Sequence, residues 1–191
     1  MKKIAFLSLI AAFLMSCGNN PKTSSDNASS DESNQPVQIT VANFSEKAPE
    51  LVDKLVFIRG IADHICKHDG KKLFLVDTIS DGRVKVVTGE NTVAFNSEYE
   101  GYDFEITGKV LETVVDETYL QEWEEEIKAG IEEKKHLEGG KSAEANEEDH
   151  HSDEEAMESI QRYRDQMAEQ GVNKLSFYSI EASSYKVVKD E

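Results

Sequence analysis

Two runs of β-branched and aromatic residues are each interrupted near the middle by a single glycine, and this constrains the fold more than anything else in the sequence. Leu55–Ile65 reads LVFIRGIADHI around Gly60, and Tyr102–Val114 reads YDFEITGKVLETV around Gly108. Val, Ile, Phe and Tyr suit a pleated, half-buried surface. A glycine inside such a strand marks a bulge or a tight bend, as at the corner of a barrel. Asp69-Gly70 is a two-residue hairpin signal, followed by a partner strand over Lys72–Thr78. Ser80-Asp81-Gly82 is a further turn, and Arg83–Thr88 then alternates polar and apolar. Glu90–Tyr99 is a link with room for one helical turn, and Leu175–Val188 is a fifth strand.

A different pattern separates the fourth strand from the fifth. Leu120, Trp123, Ile127 and Ile131 recur at helical spacing within 118–137, and Gly139-Gly140 ends the stripe. Ser152 with Glu155 is a capping-box signature; Met157, Ile160, Tyr163 and Met167 form a second stripe closed by Gly171. The expectation is an antiparallel helical hairpin, with Trp123 and Ile127 in its packing seam. The charge is segregated with it. The chain carries −17 overall, and residues 116–170 hold 19 acidic against 6 basic side chains. Acidity is therefore a property of the insertion and says little about the strand body.

The first residues read as an address. Lys2 and Lys3 precede an apolar run from Ile4 to Met15 that is too short for a bilayer span of roughly 20 residues. Leu14-Met15-Ser16-Cys17 resembles the lipobox of bacterial lipoproteins. The resemblance implies removal of residues 1–16 as a signal peptide, diacylglyceryl attachment to Cys17 and acylation of the new amino terminus, with fatty chains such as palmitate. Membrane anchoring in the cell envelope follows. By the lipoprotein sorting rule, Gly18 in place of Asp favours the outer membrane, facing the periplasm. Residues 17–43 are expected to be the anchor and a disordered tether rich in Ser, Asn and Asp, with Val37–Val41 as a short extended piece.

The remaining chain then divides into barrel strands one to four over 44–115, the acidic insertion over 116–171 and barrel strand five over 172–191. The order of bent strand, hairpin, third strand, short link, glycine-bearing strand and late fifth strand resembles the OB-fold. The expected class is mainly β with an α insertion (α+β): a five-stranded OB-like Greek-key barrel with an acidic helical hairpin between strands 4 and 5. The OB-folds usually carry a helix between strands three and four, where this sequence has only the short link.

Candidate sites are few. His64, Cys66 and His68 lie at the end of the first strand, and period-two alternation would place them on one face. Imidazole and thiolate suit zinc or copper, and haem contact is a further option. About 13 Å of strand separates the Cα atoms of His64 and His68, so closure on one ion needs the strand to curl. With Cys17 lipidated, Cys66 is the remaining thiol of the two cysteines. Three readings of it stand: a small core hydrophobe, a ligand to metal or haem, or a redox group. The cytochrome c maturation haem chaperones resemble this chain in export and broad architecture. Asp149, His150 and His151 could gather a divalent cation weakly, or form a solvated loop.

Lys67, Lys71, Lys72, Arg83 and Lys85, with Phe74 for stacking, give the first three strands a basic character. Asp63, Asp69, Asp77 and Asp81 interleave with them, and an exported chain meets little nucleic acid, so nucleic acid is not the expected partner. Two cysteines exclude a disulfide-stapled mini-domain and a multi-cysteine zinc framework. No nucleotide-binding loop, serine-hydrolase elbow or zinc-protease motif is present. The expectation is a binding or adaptor module without catalytic activity, its acidic hairpin available to a protein partner. An oligonucleotide- or oligosaccharide-binding role is the third option, after metal or haem handling.

Overall fold

The computed structural model describes residues 35–130 and 153–189. Its elements are β1 (Val37–Thr40), α1 (Val41–Leu51), β2 (Leu55–Ile65), β3 (Lys72–Val76), β4 (Arg83–Thr88), β5 (Asp103–Asp116), α2 (Glu117–Lys128), α3 (Asp153–Gln170) and β6 (Lys174–Val188), with one 3-10 turn at Ser97–Tyr99. The strands run β1-β2-β3-β4-β6-β5, and β5 pairs again with β2. Strands β2 to β6 thus close into a five-stranded mixed barrel, which is OB-like. β4 and β6 run parallel, and the other barrel pairs are antiparallel.

Closure depends on β2 serving two neighbours on one edge. Its first half pairs in parallel with β1, from Val37↔Val56 to Thr40↔Arg59. Its second half pairs with β3, from Ile61↔Val76 to Ile65↔Leu73. Gly60 sits at the changeover. A Cβ there would lie 2.9 Å from Val41 Cγ2 and 3.0 Å from the Val76 carbonyl, so only glycine lets α1 and β3 come this close. Gly108 does the same for β5, which shifts register against β6 between Thr107 and Gly108. A Cβ there would run into the Glu181 carbonyl oxygen and come within 2.9 Å of Ala182 Cα.

Period-two burial fills the barrel. Val56 and Ile58, Leu73 and Leu75, Val84 and Val86, Phe104 and Ile106, and Ile180 and Ala182 all point inward and are buried. One part of the core comes from outside the expected strands. The tether expected to reach residue 43 gives way at Val37 to β1, and α1 follows. Thr40 caps α1 by accepting from the Asn43 N–H, and the Thr40 N–H in turn donates to Asn43 Oδ1. Val41, Phe44, Ala48 and Leu51 then join the barrel core. The link between β4 and β5 holds only the 3-10 turn, while α1 packs on β2, β4, β5 and β6. Each buried Ile, Leu, Val or Phe contributes about 1.5–3 kcal/mol, against about 0–1 kcal/mol for an exposed ion pair. Apolar burial therefore dominates.

β5 and β6 remain paired beyond the barrel, to Val115↔Leu175 and Asp116↔Lys174. There a second core gathers Val115, Leu120, Trp123, Ala156, Ile160, Tyr163, Met167 and Leu175, with Ile127 and Met157 packed against it. Asp116 caps α2 by accepting from the Tyr119 N–H. Arg164 of α3 holds two α2 carboxylates, Glu117 at 2.8 Å and Glu124 at 2.7 Å. Those contacts raise the Arg164 pKa, hydrogen bonding to Glu117 first. The expected end of the first helical stripe, Ile131 to Gly140, and the expected cap at Ser152 lie outside the described residues. The two cores share no residue.

Gly108→Ala should lower stability by about 1–3 kcal/mol in urea unfolding; an unchanged midpoint would mean the β5–β6 approach is looser than described. Replacing 117–171 with a short Gly/Ser loop should leave one cooperative transition for the barrel. A non-cooperative melt would mean the helices belong to the barrel's own core.

Candidate functional site

The outward side chains of β2, β3 and β4 carry a connected set of ring and ion-pair contacts. Its shape begins with an irregularity in β2. The register against β3 shifts between Ala62 and His64, so Asp63 is an extra residue. Asp63 is left exposed, His64 is turned outward and Ile65 returns to the core. His64 pairs across the ladder with Phe74, and the two rings stack at 6.2 Å between centroids and 29° between planes. Phe74 in turn pairs across the next ladder with Lys85. The Arg83 guanidinium lies over the Phe74 ring at 4.1 Å, a cation–π contact. His64, Phe74 and Arg83 therefore form one layered stack, flanked by Lys72 and Lys85.

Each end of the stack is tied to an acid. Arg83 Nη2 stands 2.9 Å from Asp63 Oδ2. That ion pair answers Nη2, while the Arg83 Nε atom is shielded from solvent and makes no hydrogen bond among the described residues. Burial pulls the Arg83 pKa down, and the Asp63 charge opposes it. At the other end, Glu100 Oε1 lies 3.2 Å from His64 Nδ1 and accepts the Ile65 N–H at 2.7 Å. Glu100 follows the 3-10 turn of the β4–β5 link, and no periodicity in the sequence singled it out. Lys85 differs from both. It is half-buried, burial lowers its pKa, and the neighbouring Lys72 charge lowers it further.

The expected His64, Cys66 and His68 face does not form. β2 ends at Ile65, so strand alternation stops before Cys66. The connection to β3 is longer than the two-residue hairpin read at Asp69-Gly70. The Gly70 N–H bonds back to the Cys66 carbonyl, and the Cys66 N–H donates to the Lys72 carbonyl. His68 is exposed in this turn, while His64 pairs with Glu100 instead. Cys66 is a half-buried free thiol that donates to Asp69. Burial pushes the Asp69 carboxyl up; the Lys71 N–H, the Cys66 thiol and the charges of Lys71 and Lys72 outweigh it and hold it low. Among the described residues, no three His, Cys, Asp or Glu side chains gather as a metal-holding group. Asp149, His150 and His151 lie outside the described residues.

The interleaved acids are sorted by the fold. β3 stops at Val76, short of the expected Thr78, because Asp77 turns the chain: its Oδ1 accepts from the Ile79 N–H at 3.0 Å and the Ser80 N–H at 2.7 Å. Asp69 is occupied in the β2–β3 turn, and Asp81 sits in the β3–β4 loop. Of the four acids, only Asp63 stays beside the stack.

Lys85→Gln should raise stability by about 0.5–1 kcal/mol at pH 7. A lysine with a depressed folded pKa costs stability at every pH below that pKa, and the cost fades as pH rises towards the unfolded value of 10.5. Urea unfolding at pH 7 and pH 10.5 reads the difference; a gain of equal size at both would rule out the charge as its cause.

The sequence matches no protein-family model and no curated protein. Among solved structures, one described as an aspartyl-tRNA synthetase of Leishmania major Friedlin is 21% identical with a TM-score of 0.28, covering 45% of this chain and 18% of that one. An Entamoeba histolytica asparaginyl-tRNA synthetase in complex with asparaginyl-adenylate is 15% identical with a TM-score of 0.32, covering 82% of this chain and 24% of that one. The chain thus spans less than a quarter of either protein's length, and likenesses at these TM-scores carry no functional weight.

Proposed function

We propose that the chain is a membrane-anchored, OB-like binding or adaptor lipoprotein of the cell envelope, not an enzyme. Cys17 carries the lipid and holds the barrel at the outer membrane, facing the periplasm. The outward face of β2, β3 and β4 takes the ligand. The acidic outer faces of α2 and α3, among them Glu122, Glu125, Glu158 and Glu169, serve as a partner contact or spacer arm.

The observation that carries the binding part is the His64–Phe74–Arg83 stack. It lies on the second and third barrel strands and the edge of the first, and OB barrels take ligands across the face of their second and third strands. Ordered ring and guanidinium planes on a rigid sheet offer a ligand flat, pre-set contacts at little entropic cost. The anchoring part rests on the leader and its Leu14–Cys17 lipobox.

Two experiments test the reading. Labelling cells with a palmitate analogue should mark the wild-type chain and place it in the membrane fraction, and Cys17→Ser should abolish both; an unlabelled, soluble wild type would overturn the anchor. Amide spectra of the chain against a fragment collection of sugars, nucleotides and amino acids should show perturbations centred on Lys72–Val76 and Arg83–Val87. They should be lost in Phe74→Ala. Perturbations centred elsewhere would overturn this face as the site.

A further inference from the structure

We infer that the corner between the Tyr99 and Tyr102 rings, on the β4–β5 link and outside the His64–Phe74–Arg83 stack, binds a quaternary ammonium group. The inference stands independently of the reading of the β2–β4 face.

The link is built to hold these two rings. Asn96 opens its 3-10 turn by accepting from the Glu98 N–H, and the Tyr102 N–H donates to the Tyr99 carbonyl at 3.1 Å. Gly101, just before Tyr102, has a φ of +86°, a conformation that favours glycine. Its N–H donates to the Ala62 carbonyl at 2.7 Å, and the Ala62 N–H donates to the Tyr102 carbonyl at 2.9 Å. The turn is thereby stitched to β2. The two rings stand 5.8 Å apart between centroids and 80° apart in plane, so they wall two sides of one corner. Tyr99 packs on the barrel core, but Tyr102 is 43% exposed. A ring fixed by its backbone and left largely in solvent adds little to the core and is open to a ligand.

A cation of the chain itself already uses this corner. Lys189 Nζ lies 5.4 Å from the Tyr99 ring centroid, inside the roughly 6 Å reach of a cation–π contact and near its outer limit. The carboxylates along the turn favour positive charge, yet they offer an ammonium few acceptors. Glu100 is committed to His64 and the Ile65 N–H, and Asp103 pairs with Arg59 at 2.8 Å. Glu98 accepts from the Asn96 side-chain amide. A lysine ammonium carries three N–H donors that want acceptors. A quaternary ammonium carries none, and it needs only ring surface. It therefore suits the corner better than Lys189, which acts as the resident competitor.

The test titrates the full chain with choline, following backbone amides, with its uncharged carbon isostere dimethylbutanol and phosphatidylcholine vesicles as separate arms. The expected result is saturable shifts on Tyr99–Asp103 with choline and none with dimethylbutanol. Tyr102→Leu should weaken binding about fivefold, and Tyr102→Phe should keep it because the ring is retained. Lys189→Gln should tighten binding roughly twofold or more, since apparent affinity is reduced by the fraction of the chain in which the site is occupied internally. Preserved amide spectra away from the turn separate lost binding from lost fold. Vesicles that shift the same residues would support a lipid headgroup as the source of the ammonium; choline binding without a vesicle response would support a free one. Equal shifts with dimethylbutanol, or no choline response on Tyr99–Asp103, would overturn the inference. Weaker binding in Lys189→Gln would overturn it as well, because the lysine would then be part of the site and not its competitor.

Discussion

β2 has to pair in two directions at once, and the rest of the molecule depends on its doing so. One edge meets β5 through Leu55–Ile61. The other edge is divided between β1 and β3, with Gly60 at the changeover. Without close backbone approach at Gly60, α1 could not seat Val41 against the sheet, and the barrel core would lose a buried side chain. If the ladder ran regularly through Asp63 instead of bulging there, alternation would turn His64 inward and Ile65 outward, because a one-residue slip inverts every side chain beyond it. The same irregularity that bends the barrel thus places His64 against Phe74. Fold and candidate site are consequences of one strand's geometry.

Most of the barrel was legible from period-two patterning. β2 and β4 have the expected bounds, Leu55–Ile65 and Arg83–Thr88, because apolar alternation there coincides with burial. β3 ends early because the Asp77 side chain offers the backbone a competing turn. α1 was missed for a compositional reason. Its core-facing Val41, Phe44, Ala48 and Leu51 are separated by polar residues and a proline, and it follows a Ser- and Asn-rich stretch that reads as unstructured. The Thr40–Asn43 capping pair was the available signal. The site was legible only in part. Lys72, Phe74, Arg83 and Lys85 were visible as a basic, aromatic group, but register was needed to show which acids leave the face. The His64, Cys66 and His68 grouping assumed a strand that runs two or three residues too far. Glu100 carries no pattern, since its role comes from contact across 35 residues of sequence.

The two apolar cores divide the labour. The barrel core fixes the platform, and the second core fastens α2 and α3 to the far end of the β5–β6 ladder. The acidic charge is concentrated on the second and the lysine pair on the first. A strongly acidic chain can therefore present a locally basic face, which the net charge of −17 conceals.

Amide hydrogen exchange of the native chain tests barrel closure most directly, because the β2–β5 pairing turns an open sheet into a barrel. The account predicts that the interior amides of the β2–β5 ladder, around Ile58, Phe104 and Ile106, exchange as slowly as those of the β2–β3 ladder and only through global unfolding. Fast exchange along β2–β5 beside a protected β2–β3 ladder would contradict it, leaving an open sheet that has no reason to hold the stacked face in place.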